Sequence, residues 1–193
     1  MKKKILITCF EPFGGDSFNA SAAVAAAMPA ELAGYAVKKV TLPVEFGRAA
    51  AVAEASVPQA GAELILCFGE ARSRSAVTPE LVAINLKYAA IPDNAGAKPQ
   101  DAAIAEGGAA AYFTPFPARR LAEGINAAGV PAALSYSAGA YVCNDLYCRL
   151  LRRFEGEMPV LFVHVPRMAE ENGYKKVADA ISAALCGLIE KKN

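Results

Sequence analysis

Ile5-Leu6-Ile7-Thr8-Cys9-Phe10 runs straight into Glu11-Pro12-Phe13-Gly14-Gly15-Asp16. Six almost continuously apolar residues do not suit a strand with one wet face. They read as a strand covered on both sides, the signature of a parallel sheet. The polar, glycine-rich stretch that follows is a loop at the strand's carboxyl end. Loops at that end are where parallel sheets place their sites. The same pattern recurs outward from this start. Strands are expected at Tyr35 to Leu42, Leu64 to Phe68, Val82 to Leu86, Ala132 to Tyr136 and Val160 to Val165. Alanine-rich helical stretches alternate with them: Ala20 to Met28, Phe46 to Val57, Ala118 to Ala127, Tyr141 to Phe154 and Ala169 to Glu190. Gly and Pro punctuate the junctions, as at Pro29, Gly61 and Gly129-Val130-Pro131. Alternating strands and helices predict one α/β domain over residues 1–193, a three-layer α/β/α arrangement with a mostly parallel central sheet. A turn-rich stretch from Ile91-Pro92-Asp93-Asn94 to Gly107-Gly108 interrupts the alternation, and long loops in compact domains tend to be functional.

Composition narrows the function. The chain has 193 residues, 54% of them hydrophobic and 20% charged, which suits one sizeable core. With a net charge of +1 and no dense basic block, nucleic acid is not an expected partner. Met1-Lys2-Lys3-Lys4 precedes an apolar run, but Glu11-Pro12 ends that run too soon for a signal peptide. No run reaches the roughly 18 apolar residues that span a bilayer. Five scattered cysteines, Cys9, Cys67, Cys143, Cys148 and Cys186, do not form a disulfide framework or a C-x-x-C zinc pair. Reduced thiols and a cytoplasmic location are expected. One histidine rules out a multi-histidine metal site, and no cofactor is expected.

That histidine, His164, lies in the last apolar strand, Val160-Leu161-Phe162-Val163-His164-Val165. An imidazole exchanges protons near neutral pH and is the natural general base. Cys9 and Cys67 sit in apolar strands and read as small hydrophobes, and Cys148 and Cys186 as helix core. Cys143 differs. It follows Ser137-Ala138-Gly139-Ala140, a turn of small residues, at the start of a helix. A thiol there faces unpaired backbone N–H groups and the positive end of the helix dipole, and both favour the thiolate. The same N–H groups could stabilise an oxyanion. A Cys–His pair needs a third group to orient the imidazole. Glu11, Asp16, Glu70, Glu80, Asp93 and Asp145 are the acids near turns, and spacing does not choose among them. Gly14-Gly15 lacks the rest of a phosphate-binding motif, and no G-x-S-x-G elbow surrounds Ser135 or Ser137.

Five blocks occur in order along one domain: Phe10-Glu11-Pro12-Phe13-Gly14-Gly15, Thr78-Pro79-Glu80-Leu81-Val82-Ala83-Ile84-Asn85, Ile91-Pro92-Asp93-Asn94, Ser137-Ala138-Gly139-Ala140-Tyr141-Val142-Cys143-Asn144 and His164-Val165-Pro166. In these the chain resembles the type I pyroglutamyl peptidases (pyrrolidone-carboxylate peptidases), a family of cysteine peptidases. The resemblance implies an omega-exopeptidase that removes an N-terminal pyroglutamyl residue through a thioester acyl-enzyme. It implies Cys143 as nucleophile, His164 as base and Glu80 as the acidic member, with some weight on Asp93. It implies a pyroglutamyl pocket of Phe10, Phe13, Ile91, Tyr141 and Val142, with Asn19 bonding the lactam and Glu70 beside it. Peptides or proteins bearing N-terminal pyroglutamate are the implied partners, and a homo-oligomer, often a tetramer, the implied assembly. The chain also departs from the family pattern. Gly69-Glu70-Ala71-Arg72-Ser73-Arg74 stands where the family has Gly-Gln-Ala-Gly-Gly-Arg, and Ala90 replaces an active-site arginine. Asn19-Ala20-Ser21 replaces Asn-Pro-Ser. An anion at Glu70 is expected to raise the thiol pKa unless Arg72 or Arg74 offsets it. These departures motivate two alternatives: a member that binds a lactam or peptide N-terminus with little turnover, and a related hydrolase of another N-acyl substrate.

Overall fold

The apolar strands pair side by side. β1 (Lys4–Phe10) lies between β3 (Tyr35–Leu42) and β4 (Leu64–Glu70), parallel to both. β8 (Val160–Val165) extends the parallel set beyond β4. The two-residue strands β2 (Glu31–Leu32) and β5 (Thr78–Pro79) close the edges in antiparallel fashion, giving the order β2-β3-β1-β4-β8-β5. A separate antiparallel hairpin pairs β6 (Val82–Ile84) with β7 (Ala111–Phe113). The helices are α1 (Ala20–Ala27), α2 (Arg48–Ala60), α3 (Ala118–Ala127), α4 (Val142–Arg153) and α5 (Asn172–Ile189). This computed structural model describes residues 3–170 and 172–189. The ends of the expected 1–193 domain, and positions 171 and 190 of the expected last helix, lie outside them.

Continuous apolarity has the consequence expected of it. Successive strand side chains point to opposite faces, and here both faces are buried. Ile5, Ile7 and Cys9 of β1 pack in one apolar cluster with Val24 of α1, Leu121 of α3 and Ile181 of α5. Leu6 and Phe10 pack in another with Ala53 of α2 and Leu146 of α4. The fold is therefore α/β with a mostly parallel sheet. Among the described residues, no helix is long and apolar enough to cross a membrane.

Two expected strands differ from what is observed. Ala132 to Tyr136 does not form a strand; it makes only isolated parallel bridges, Val77 to Ala132 and Glu80 to Ser135. Its partner β5 is only two residues long, and Asn126 takes up Ala132 through both its amide groups. Val82 to Leu86 stops at Ile84 and leaves the main sheet for the hairpin. Asn144 of α4 accepts the Ile84 N–H and donates to the Ile84 and Leu86 carbonyls, so a side chain replaces the missing ladder.

Chain order decides where the loops go. From β1 the chain moves to β3 on one side, then crosses to β4 and β8 on the other. That change of direction falls between β1 and β4, and parallel sheets place their sites at the carboxyl ends of the strands there. Phe10, Glu70 and His164 all stand at that end.

Candidate active site

His164 is the penultimate residue of β8, opposite Gly69 of β4 on one side and Thr78 of β5 on the other. It is 5% exposed. Its Nδ1 lies 2.7 Å from Glu80 Oε1. A carboxylate only accepts, so Nδ1 carries the proton and Nε2 is left with its lone pair. Glu80 is brought there by the short strand β5 and held from several directions. Its N–H donates to the Phe162 carbonyl at 2.8 Å, and Tyr147 Oη of α4 donates to its carbonyl at 2.9 Å. Arg74 donates to Glu80 Oε1 at 2.5 Å, to Thr78 Oγ1, and to the Ser137 carbonyl at 2.8 Å. Glu80 Oε2 is buried without a hydrogen-bond partner.

Cys143 is the second residue of α4 and is half-buried. Tyr141 caps the helix without a side-chain hydrogen bond, which leaves the first-turn N–H groups free to face a ligand. Space beside the sulfur is tight. A methyl group placed on Gly69 would lie 2.9 Å from Cys143 Sγ and 2.7 Å from the Phe162 ring. Burial pushes the Cys143 thiol up to about 12, with the Glu80 and Cys67 charges adding to the shift. Arg74 and the cysteine's own backbone N–H act in the opposite direction. Burial also lowers His164 below its ordinary value, and the Glu80 hydrogen bond opposes this. The resting pair is therefore a neutral thiol and a neutral imidazole.

Cys143 and His164 line one cavity of about 130 Å³. Phe10, Phe13, Asn19, Glu70, Tyr141 and Val142 line it too, so six of the seven expected pocket residues are brought together. Ile91 is not among the lining residues; it is 49% exposed and packs beside Gly14 on the loop after β1. Glu80 also stands off the cavity, behind His164. Val44 and Ala138 complete the lining. Sequence reasoning missed both, since a lone valine after a strand and an alanine in a turn carry no chemical signal. Asp93 does not line the cavity: it accepts the N–H groups of Phe46, Ala95 and Ala97 and organises its loop.

Two polar lining residues are already partly engaged. Asn19 Oδ1 caps α1, accepting from the Ser21 N–H and Oγ. Its Nδ2 donates to the Glu11 carbonyl at 2.9 Å, which leaves one N–H for a ligand. Glu70 Oε2 accepts the Ala20 N–H at 2.6 Å, and Oε1 accepts Arg72 Nε at 2.7 Å. Of the two arginines expected as possible offsets for a Glu70 anion, Arg72 is the one that pairs with it. Arg72 and the start of α1 hold its charge, and the carboxylate that raises Cys143 is Glu80. Arg74 serves Glu80 rather than Glu70. Among the described residues, no group of three His, Cys, Asp or Glu side chains could hold a metal ion.

Known proteins carry the same fold and sequence pattern. A family model described as pyroglutamyl peptidase matches residues 3–186. The pyrrolidone-carboxylate peptidase of Enterococcus faecalis is 39% identical over 171 residues, covering 87% of this chain and 80% of that protein. That of Bacillus velezensis is 38% identical over 96% of this chain and 87% of its own length. The crystal structure of pyroglutamyl peptidase I from Bacillus amyloliquefaciens superposes with a TM-score of 0.89 at 35% identity, covering 97% of this chain and 96% of that one. The pyrrolidone carboxyl peptidase from Thermococcus litoralis gives 0.90 at 32% identity, covering 100% and 97%. With the match running through nearly all of its length, the chain belongs to the pyroglutamyl peptidase family.

Proposed function

We propose that this protein hydrolyses the amide bond after an N-terminal pyroglutamyl residue, with Cys143 as nucleophile, His164 as base and Glu80 orienting the imidazole. One observation carries the reading: a thiol at a helix start and an imidazole backed by a buried carboxylate share a small, largely apolar cavity. A lactam ring is small, flat and uncharged, which suits such a slot. Phe10, Phe13, Tyr141 and Val142 supply the apolar walls, and the remaining N–H of Asn19 supplies a donor for the ring carbonyl. A pocket made to bond a lactam rejects proline, which lacks that carbonyl and would leave the donor unpaired.

The reaction follows from the neutral resting pair. His164 Nε2 takes the Cys143 proton as sulfur attacks the pyroglutamyl carbonyl. A C–S bond forms and the carbonyl electrons move to oxygen. The oxyanion is stabilised by N–H groups at the start of α4. The imidazolium, held through Nδ1 by Glu80, donates its proton to the leaving amine, and the C–N bond breaks. Water, activated by the same imidazole, then cleaves the thioester and frees pyroglutamate. Neither a metal nor an organic cofactor enters these steps.

The finer architectural reading belongs with this proposal. The two apolar clusters, one shared with α1, α3 and α5 and the other with α2 and α4, support a three-layer α/β/α arrangement. Their continuity along β1, β4 and β8 supports a single domain over residues 1–193. Five free cysteines suit a reducing, cytoplasmic compartment. Peptides or proteins with N-terminal pyroglutamate are the proposed partners, and a homo-oligomer such as a tetramer the proposed assembly.

Two positions favour a second reading, a member that binds without turning over: Glu70 lines the cavity as an acid, and Ala90 stands before Ile91-Pro92-Asp93-Asn94. Release of aminomethylcoumarin from pyroglutamyl-aminomethylcoumarin under reducing conditions separates the two. Release that Cys143→Ala abolishes is the expected result. Absence of release from well-folded protein would overturn the peptidase reading and leave binding or another N-acyl substrate.

A further inference from the structure

Arg72 is not among the residues that line the cavity, yet it touches two that do. It lies just past the end of β4. Its Nε donates to Glu70 Oε1 at 2.7 Å, and its Nη2 lies 2.5 Å from Asp16 Oδ2. Its guanidinium also covers the Phe13 ring, 4.9 Å from the centroid. Glu70 and Phe13 are both lining residues. Asp16 and Phe13 share the loop after β1, and the Asp16 N–H donates to the Phe13 carbonyl at 3.3 Å. One side chain therefore ties the end of β4 to the loop that presents Phe13.

That loop has reason to need a tie. Gly14 and Gly15 follow Phe13 directly, at φ 63° and 84°. Glycine at positive φ lets the chain turn sharply but gives the loop no stiffness of its own. Asn94 holds the loop on one side, donating to the Pro12 carbonyl and to Glu11. Arg167, beyond β8, holds it further along through Asp16 at 2.9 Å and the Phe18 carbonyl at 3.2 Å. Only Arg72 combines contacts to the Phe13 ring, Glu70 and Asp16 among these supports. Arg167 stands 3.7 Å from Glu70 Oε1, too far for a good hydrogen bond.

We propose that Arg72 is a positioning residue for the pyroglutamyl pocket, one that fixes Phe13 against the cavity by stacking on its ring while clamped between Glu70 and Asp16. The proposal rests on the peptidase reading. A planar guanidinium suits the task because its fork serves two carboxylates while its face meets an aromatic ring. A lysine supplies the charge without the fork. Since Arg72 touches neither thiol nor imidazole in this arrangement, its loss acts on substrate capture more than on the bond-breaking step.

The test is the kinetics of pyroglutamyl-aminomethylcoumarin hydrolysis by the wild type, Arg72→Gln, Arg72→Lys and the double variant Glu70→Gln/Arg72→Gln. KM should rise about tenfold in Arg72→Gln with kcat within about twofold, and Arg72→Lys should fall between. The double variant restores charge balance but not the stacking, so its KM should stay high. An unchanged KM in Arg72→Gln, or a normal KM in the double variant, would overturn the proposal; the second result would make Arg72 a charge partner alone. If Arg72→Gln does not fold, Arg72→Lys decides by the same KM criterion. If the wild type releases no fluorophore, the peptidase reading fails separately. Calorimetric binding of pyroglutamic acid then decides: about tenfold weaker binding to Arg72→Gln supports the role, while equal binding, or none to the wild type, overturns it.

Discussion

Two buried glutamates stand near the same cavity, and each has an arginine close by in sequence. Both side chains are 0% exposed. Glu70 pairs with Arg72, and Glu80 with Arg74. Their remaining bonds separate them. Both oxygens of Glu70 are engaged, one by the start of α1 and one by Arg72, so its charge is balanced at rest. Glu80 places Arg74 and His164 on the same oxygen and leaves Oε2 buried without a hydrogen-bond partner. A buried carboxylate with an unpartnered oxygen is costly. Arg74 supplies a standing positive charge on Oε1, and a second arrives beside it when His164 takes a proton. Burial alone does not separate the two acids; their partners do, the start of α1 for Glu70 and the His164 ring for Glu80.

Glu80→Gln gives the largest expected effect on this contrast. It keeps the shape but removes the charge that steadies the imidazolium, and the amide can orient its NH₂ toward Nδ1 and select the wrong tautomer. kcat should fall about 100-fold or more. The pH profile should move as well. The Glu80 bond raises His164 against the lowering by burial, so its loss lowers the imidazole pKa further. The base must be neutral to accept the thiol proton, so activity is lost as pH falls through the His164 pKa. In the wild type this acid limb of kcat/KM should lie below the ordinary histidine value of 6.5, and in Glu80→Gln lower still. A kcat within threefold of wild type would remove the distinction between the two acids.

The second test falls between the two glutamates. Gly69 precedes Glu70 on β4 and lies opposite His164 on β8. In Gly69→Ala the new methyl would lie 2.7 Å from the Phe162 ring and 2.9 Å from Cys143 Sγ. Phe162 is 0% exposed and packs 4.8 Å from the His164 ring, so it cannot retreat without moving the base. Overpacking of this kind costs about 1–3 kcal/mol, to be read from denaturant unfolding. Activity should fall more than that loss of stability explains, because thiol and imidazole shift apart. A stable, fully active Gly69→Ala protein would show that the site tolerates displacement.

Much of this arrangement could be read from the sequence, and the unread part has physical causes. β1, β4 and β8 announced themselves through apolar runs, because strands covered on both faces need them. Cys143 could be singled out because a small-residue turn before a helix start is a local pattern. β5 was invisible, since two residues make no periodicity, and with it went the means of choosing Glu80 by spacing. Glu80 and His164 meet across 84 residues, a distance no local pattern records. Ala132 to Tyr136 was misread because an edge segment with a two-residue partner and a side-chain substitute for its ladder still looks extended in sequence. The stacking of Arg72 on Phe13 was equally hidden, although the neighbouring Glu70 and Arg72 invited the question of charge balance.

The smallest expected effect belongs to Glu70→Gln, and its smallness completes the contrast. A glutamine there can still accept the Arg72 or Ala20 hydrogen through its carbonyl oxygen, though no longer both through two anionic oxygens. Arg72 keeps its bond to Asp16 and its place over Phe13. Arg72 is 40% exposed, so solvent screens much of what the ion pair contributes. Stability should fall by about 1 kcal/mol, with kcat within about threefold of wild type. The acid limb of the pH profile should not move, because Glu70 is not among the charges acting on His164. A loss of kcat matching that of Glu80→Gln would mean that Glu70 acts on the reaction directly, and that a saturated carboxylate beside the thiol is not structural after all.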